Sequence, residues 1–312
     1  MDHYFNNPKT IKQILSHNQI FSSARSISDE VNKYFLPFID DLEFRKNLLT
    51  LYEPLSDYNL KLNSGFILNQ WRSIETSVKA QIGTERESSF RDLMAVILDE
   101  IFFKMYGIDG ELKFFLSSNK YKIINFMQDP NSPTSIQYLS TLLEIINRNK
   151  STLMQRNNSL SIKVKALNLC FIYYAAHDNT LNSLVTTAKL FLLSTEQVTI
   201  DSKNTPPFPV VKLITRFCTS TCQIEAIDIF PGDRIICILT PDIALDELQH
   251  YTLDLTFGHG IHKCPGESFV TINHEYLFKT LLKLRQWINI SHEIPLASPY
   301  FSGFHDILLS SK

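Results

Sequence analysis

The sequence predicts a mainly α protein with a small β region, and three observations carry that prediction. Up to about residue 195 the apolar residues recur at helical spacing. After Pro206, Pro207 and Pro209 the pattern turns to short strand-like runs, and a last helical stretch follows from Glu267 to about Ile288. The 312 residues would allow one large domain or two. No internal repeat, low-complexity tract or charge block divides them, so the chain reads as a single domain over residues 1–312.

The helical part can be justified element by element. Asn7-Pro8 is a helix start signal, and Ile11, Ile14 and Leu15 behind it share one face. Leu48, Leu49, Leu51 and Tyr52 share another face, as do Leu93, Val96, Ile97 and Ile101 in a helix that Ser88-Ser89 introduces near Phe90. The longest candidate runs from Ile162 to Leu193; it is apolar around most of its circumference and is therefore predicted to be buried. In its middle stand His177, Asp178, Asn179 and Thr180, each costing about 1 to 3 kcal/mol to bury without a partner. Beyond it, a short helix is expected over Val211 to Phe217. Strands are expected near Ile224 to Ile229 and Arg234 to Leu239, on either side of the Pro231-Gly232-Asp233 turn, and residues 294–310 read as loop and short strands.

Composition excludes several function classes. Thirty Lys and Arg against 32 Asp and Glu give a net charge of −2, with the basic residues scattered. That provides no concentrated positive field for nucleic acid or an anionic membrane surface. No run approaches the roughly 18 apolar residues of a membrane span, and the first fifteen residues lack the apolar core of a signal peptide, so the expected location is cytoplasmic. Five cysteines without paired spacing point to reduced thiols.

Glycine is scarce, nine in all, yet three of the nine fall between Gly258 and Gly266. Residues 257–266 read Phe-Gly-His-Gly-Ile-His-Lys-Cys-Pro-Gly, and Cys264 stands directly before a long predicted helix. A helix N-terminus carries a partial positive charge and free N–H groups, and flanking glycines let backbone amides approach a sulfur. Cys264 thus reads as an anionic ligand or a nucleophile. A zinc site built from Cys218, Cys222 and Cys264 lacks the second well-spaced pair that tetrahedral ligation needs.

This window resembles the cysteine-ligand loop of cytochromes P450, Phe-Gly-x-Gly-x-His/Arg-x-Cys-x-Gly, and meets every defining position. The resemblance implies a cytochrome P450-like fold, shortened at the N-terminus. It makes Cys264 the metal ligand, the axial thiolate of a haem b iron. Phe257 would pack beside it, Gly258, Gly260 and Gly266 would shape the loop, and His262 would face a haem propionate. Other segments are similar to the family in order. Lys9 to Ser23 looks like its B-helix and Phe-Ser-Ser segment, and Asp41 to Ser56 looks like its C-helix, where Arg45 or Lys46 is placed to reach a propionate. Phe90 to Asp109 resembles the segment through the E-helix, and Ser302-Gly303 to Leu309 the closing β segment. Ala175 to Thr180 falls where the distal helix of the family reads Ala/Gly-Gly-x-Asp/Glu-Thr-Thr.

Departures from the family bear on mechanism. Leu213-Ile214-Thr215-Arg216 stands for the helical Glu-x-x-Arg motif without its acid, so Arg216 needs another carboxylate or an exposed site. The Asn-Arg-Asp-Pro run expected between Leu239 and the cysteine loop is missing. Asp178 keeps the place of the proton-shuttling acid, but Asn179 replaces the oxygen-handling threonine, and an amide would more naturally hold a water or a substrate group. Thr180 lies about 100° further round a regular helix. His177 reads as a distal group or as a satisfied or solvated histidine, and Tyr173-Tyr174 as core.

The resemblance thus implies a haem-thiolate monooxygenase, with Asp178 and Asn179 as its catalytic pair. It would act on a small organic substrate and take electrons from a separate ferredoxin or flavodoxin-type donor. Two alternatives stand beside it. One is a peroxide-driven or redox-neutral haem-thiolate enzyme; the other is a degenerate recruitment module that docks a carrier protein.

Overall fold

The computed structural model describes residues 1–23, 35–82, 87–148, 159–193, 207–208, 210–239, 255–298, 301 and 303–312. A strand, β1 (Asp2–Phe5), precedes helix α1 (Pro8–Ser16), whose N-terminus is capped by Asn7 accepting from the Lys9 N–H at 3.0 Å. The Ile11, Ile14 and Leu15 face is buried as its spacing requires. After β2 (Phe21–Ser22) come α2 (Leu42–Leu49), capped by Asp41, then a 3-10 segment Thr50–Leu55, α3 (Asp57–Leu62) and α4 (Ser64–Ile82). Ser89 in β3 (Ser88–Ser89) accepts from the Asp92 N–H at 3.0 Å and so starts α5 (Phe90–Tyr106) where the sequence predicts it. Helices α6 (Gly110–Asn119), α7 (Lys122–Gln128) and α8 (Pro133–Arg148) follow.

The long apolar helix is present with its predicted ends, but in three parts. α9 (Ile162–Tyr174) and α10 (Thr180–Leu193) are joined by a π turn over Ala175–Asn179. His177, Asp178 and Asn179 occupy that turn, and Thr180 opens α10. A π turn accommodates one extra residue per turn and disturbs the regular ladder, which is where functional helix breaks commonly sit.

The remaining strands are β4 (Leu213–Cys218), β5 (Cys222–Ile224), β6 (Ile227–Ile229), β7 (Arg234–Ile238), β8 (Ile288–Pro295) and β9 (Phe304–Ser311), with α11 (Glu267–Leu284) between β7 and β8. The main sheet has the order β1-β7-β4-β2, with β1 parallel to β7 and the other pairs antiparallel. β3-β9-β8 form a second sheet and β5-β6 a hairpin. Two apolar cores result. One packs the helices around Trp71, Phe102, Tyr173 and Phe278; the other packs α1 against the main sheet through Phe5, Ile11, Leu15, Ile235 and Cys237. No described helix is long and apolar enough to cross a membrane.

Several expectations need correction. Asp2–Phe5, ahead of the first predicted helix and not foreseen, is a strand of the main sheet. Val211 to Phe217 is not a short helix. Leu213–Cys218 is a strand between β7 and β2, in which Arg216 and Cys218 are buried; apolar and β-branched residues around Arg216 suit the pleat better than a helix. Ile224 to Ile229 is not one strand but the end of one and the whole of another, reversed at Glu225 and Ala226, whose φ values of +49° and +64° make the primed turn that hairpins favour. The closing helix ends at Leu284, and the tail forms two eight-residue strands rather than loop and short strands. Leu49 and Val96 are exposed, at 38% and 63%, because α2 gives way to the 3-10 segment and the α5 core face runs through Phe90, Met94, Ile97 and Ile101. Pro206, Pro209, Ser302 and the segment 240–254 that precedes the cysteine loop lie outside the described residues.

Candidate active site

The cysteine loop is wedged between α1, β4 and α2. Gly258 and Gly260 have φ values of +72° and +68°, backbone that side-chain-bearing residues resist. A Cβ on Gly260 would stand 2.5 Å from the Leu15 carbonyl oxygen, so this glycine lets the loop lie directly on the end of α1. The Cys264 N–H donates to the half-buried Phe257 carbonyl at 2.8 Å and closes the loop. Gly266 occupies the cap position of α11 with φ −89°, and its N–H bonds the Cys264 sulfur.

Cys264 keeps a solvent-accessible face. Even so, burial raises its pKa, with Glu267 in the first turn of α11 adding to the rise and the Gly266 N–H and Lys263 opposing it. The helix start and the burial of the sulfur thus act in opposite directions on this thiol, and a bound cation would favour its anionic form. Tyr52, buried beside it, has its own ionisation suppressed by burial and by the nearby Cys264.

Three basic side chains converge next to this loop. Arg45 is buried; its Nε donates to the Ile261 carbonyl at 2.6 Å and its Nη1 to the Leu36 carbonyl. Lys46 is exposed, so of the two α2 candidates only Arg45 reaches the loop. His262 Nε2 lies 3.0 Å from Asp40 Oδ1, while its Nδ1 is buried with no hydrogen-bond partner. Asp40 also accepts from the Ser22 hydroxyl at 2.6 Å and the Ser23 hydroxyl at 3.1 Å.

Arg216, 6% exposed, is the third member. It is not exposed, and no carboxylate among the described residues replaces the missing acid. Its Nη1 donates to the Thr215 carbonyl at 2.8 Å, and no ion pair holds it among the described residues. Burial lowers the pKa of both arginines, opposed by Tyr52 at Arg45, by Cys237 at Arg216 and by Asp40 at both, and each arginine depresses His262 beyond the effect of burial. This corner thus buries an excess of positive charge, which costs several kcal/mol unless anions complete it.

The distal candidates gather in a second cluster. Asp178 Oδ1 lies 3.2 Å from Lys120 Nζ, 3.1 Å from His177 Nδ1 and 3.8 Å from Arg91 Nη2. Burial opposes its ionisation, but His177 and Lys120 outweigh burial and hold its pKa below the usual carboxylate value. Asn179 is half-buried in the π turn, and its side chain makes no hydrogen bond among the described residues. Thr180 is fully buried, with its hydroxyl unpartnered. His177 is 2% exposed and bonded on both sides rather than solvated. Tyr173 is core, with its hydroxyl donating to Asp99 at 2.7 Å. Among the described residues no hydrogen bond or ion pair joins this cluster to the first.

Sequence reasoning missed Arg216 as a member of the loop cluster because its motif was matched to a helix. The available signal was the alternation that buries both Arg216 and Cys218 on one face of a strand. Asp40, Arg91 and Lys120 carried no sequence signal, since what places them is long-range packing.

Solved structures decide the fold. P450BioI, in complex with an acyl carrier protein ligated to hexadec-9Z-enoic acid, matches with a TM-score of 0.77 at 15% identity, over 99% of this chain and 92% of that chain. The chain has the cytochrome P450 fold. A thermophilic cytochrome P450 from Sulfolobus tokodaii matches with a TM-score of 0.73 at 14% identity, over 99% of this chain and 94% of that one. MycCI, the mycinamicin VIII C21 methyl hydroxylase of Micromonospora griseorubida, does so with a TM-score of 0.75 at 14% identity, over 99% and 90%. No family model and no curated protein matches the sequence. The cytochrome P450 fold has therefore been kept here in a highly divergent sequence.

Proposed function

We propose that the chain is a haem-thiolate oxidoreductase of the monooxygenase type, with Cys264 as the iron ligand. The observation that carries this reading is the pairing of an accessible cysteine at a helix start with the buried basic corner of Arg45, Arg216 and His262. The fit of haem to these residues can be judged from the corner itself. A group bearing two carboxylates would supply the negative charge it lacks and a partner for the orphaned His262 Nδ1. The His262 ring would then need both protons, a state favoured by Asp40 at Nε2 together with the incoming charge. The residues fit.

Bound haem supplies redox chemistry at iron, and thiolate ligation pushes electron density onto the metal in the sense that favours O–O cleavage. The chain's own residues do the rest. Gly266 N–H and the start of α11 would stabilise the sulfur's negative charge. Gly258 and Gly260 hold the loop flat against α1. Arg45, Arg216 and His262 would orient the cofactor through its carboxylates. Asp178, held ionised by Lys120 and His177, would accept and release protons on the distal helix, and Asn179 would hold a water or a polar substrate group. The substrate would be a small organic molecule, free or tethered to a carrier protein as in the P450BioI complex, and the electrons would come from an external ferredoxin or flavodoxin-type donor. Asn179, an amide where the family carries a threonine hydroxyl, favours one second reading, a peroxide-driven or redox-neutral reaction at the same centre.

The test is the visible spectrum of the dithionite-reduced protein with carbon monoxide. A strongly red-shifted Soret band is expected, and Cys264→Ala should abolish it. Persistence of that band in the variant would remove Cys264 from the metal, and a wild-type protein that takes up no haem would overturn the reading.

A further inference from the structure

The distal cluster contains more than an acid. His177 is buried between two carboxylates, each facing a different ring nitrogen: Nδ1 lies 3.1 Å from Asp178 Oδ1 and Nε2 lies 3.3 Å from Asp99 Oδ1. The side chain of Asp99, on α5, is 25% exposed, whereas those of His177 and Asp178 are 2% and 11% exposed. The three groups thus form a continuous line from the solvent side of α5 to the π turn of the distal helix. We propose that this line is a proton relay, with Asp99 as the solvent door and His177 as the carrier that supplies Asp178. This deepens the reading above and rests on it.

Tyr174 and His305 also feel the charge of Asp178, and the nearest charged or titratable neighbours fit the assignment. The Tyr173 hydroxyl donates to Asp99 Oδ1 at 2.7 Å and fixes that carboxylate beside Nε2. Lys120, arriving from the end of α6, lies 3.2 Å from Asp178 and 3.1 Å from His177 Nδ1. Arg91 of α5 lies 3.8 Å from Asp178 and is itself held by Asn182 at 2.7 Å and the His305 carbonyl at 3.0 Å.

The proton balance closes without any further reactant. A proton entering from water protonates Asp99 and passes to Nε2. The resulting imidazolium gives up its other proton from Nδ1 to Asp178. Lys120 then passes a proton to the bare Nδ1 as Nε2 returns its own to Asp99, which restores the starting tautomer, and Lys120 is recharged from water. An imidazole with a proton acceptor at each end is suited to this, and the neutral amide of Asn179, one residue on, is not.

Two measurements test the relay. The first needs no turnover. In protein with ¹⁵N-labelled histidine, Asp99→Asn should slow solvent exchange of the His177 ring protons at least tenfold and shift Nε2, while Asp178→Asn should shift Nδ1. Exchange and shifts indifferent to Asp99 would overturn the proposal, whether or not the protein carries haem.

The second measurement uses hydrogen peroxide and a chromogenic phenol as probes of the haem-loaded protein. His177→Gln keeps a hydrogen-bonding amide but cannot carry a proton. It should lower the rate at least tenfold and alter the solvent isotope effect and pH profile, with the carbon monoxide band intact. An unchanged rate and profile with that band intact would sink the relay while leaving the haem reading standing. A missing band in the wild type would sink the haem reading instead and leave the exchange measurement to decide the relay.

Discussion

At the scale of single residues, the loop's backbone demands are stricter than its chemistry. Gly260 combines a left-handed φ of +68° with a carbonyl oxygen where its side chain would begin. Gly260→Ala should therefore cost about 1 to 3 kcal/mol, read as a lower urea midpoint, and should weaken haem retention as the loop lifts from α1. Gly266, with ordinary φ and a Cβ position 3.7 Å from the Cys264 sulfur, should tolerate alanine far better in stability. Cys264, His262 and the loop glycines could be singled out from the sequence because a fixed spacing is a local signal. Arg45 was legible only as one of two neighbours, and burial on α2 chose between them. Arg216 was named but misplaced, and its companion Asp40, like Lys120 beside Asp178, was invisible, since a carboxylate or ammonium outside a motif means nothing until the fold brings its partner to it.

Among the elements, caps and long apolar periodicities were the reliable signals. Asn7, Asp41 and Ser89 start their helices as side-chain acceptors, and the distal helix begins and ends where its apolar pattern does. Short strands failed because a run such as Leu213–Cys218 is compatible with either period until neighbours on both sides supply hydrogen bonds. The β5-β6 hairpin carries a turn without glycine or asparagine, so its reversal could not be read from composition. Ala226 holds φ at +64°, and Ala226→Gly should relieve about 1 kcal/mol of that strain, raising the thermal midpoint by a few degrees. Glu225 in the same turn accepts from Thr10 of α1 and is best left in place.

Across the whole molecule, acid should weaken the fold through buried histidines before it reaches the carboxylates. His274 of α11 donates from Nδ1 to the Val270 carbonyl at 2.9 Å and meets Ser183 of α10 at 3.1 Å; burial pushes its pKa down to about 4 from 6.5, despite these bonds. The unfolded chain takes up a proton at this site below about pH 6.5 that the folded chain refuses until about pH 4. Stability is therefore fully present above 6.5, falls through that window by about 3 kcal/mol and levels off below it. Urea midpoints measured from pH 7 to pH 4 should trace this fall, and His274→Gln should flatten it.

The parallel pairing of β1 with β7 sets the order in which such a chain can be assembled. Asp2 is matched with Arg234 and Phe5 with Cys237, so a strand synthesised ahead of the described helices finds its sheet partner only after nearly all of them have been made. Closing so long a loop is entropically slow, whereas the helical core between can form from nearer neighbours. During synthesis Phe5, Ile11 and Leu15 must then wait uncovered, a sticky surface that favours chaperone capture over early compaction. Arg216 sits on the strand beside β7, so the corner that would receive the cofactor's carboxylates is finished late. A nascent chain halted after α10 would be a helical body lacking the basic corner proposed to hold a prosthetic group.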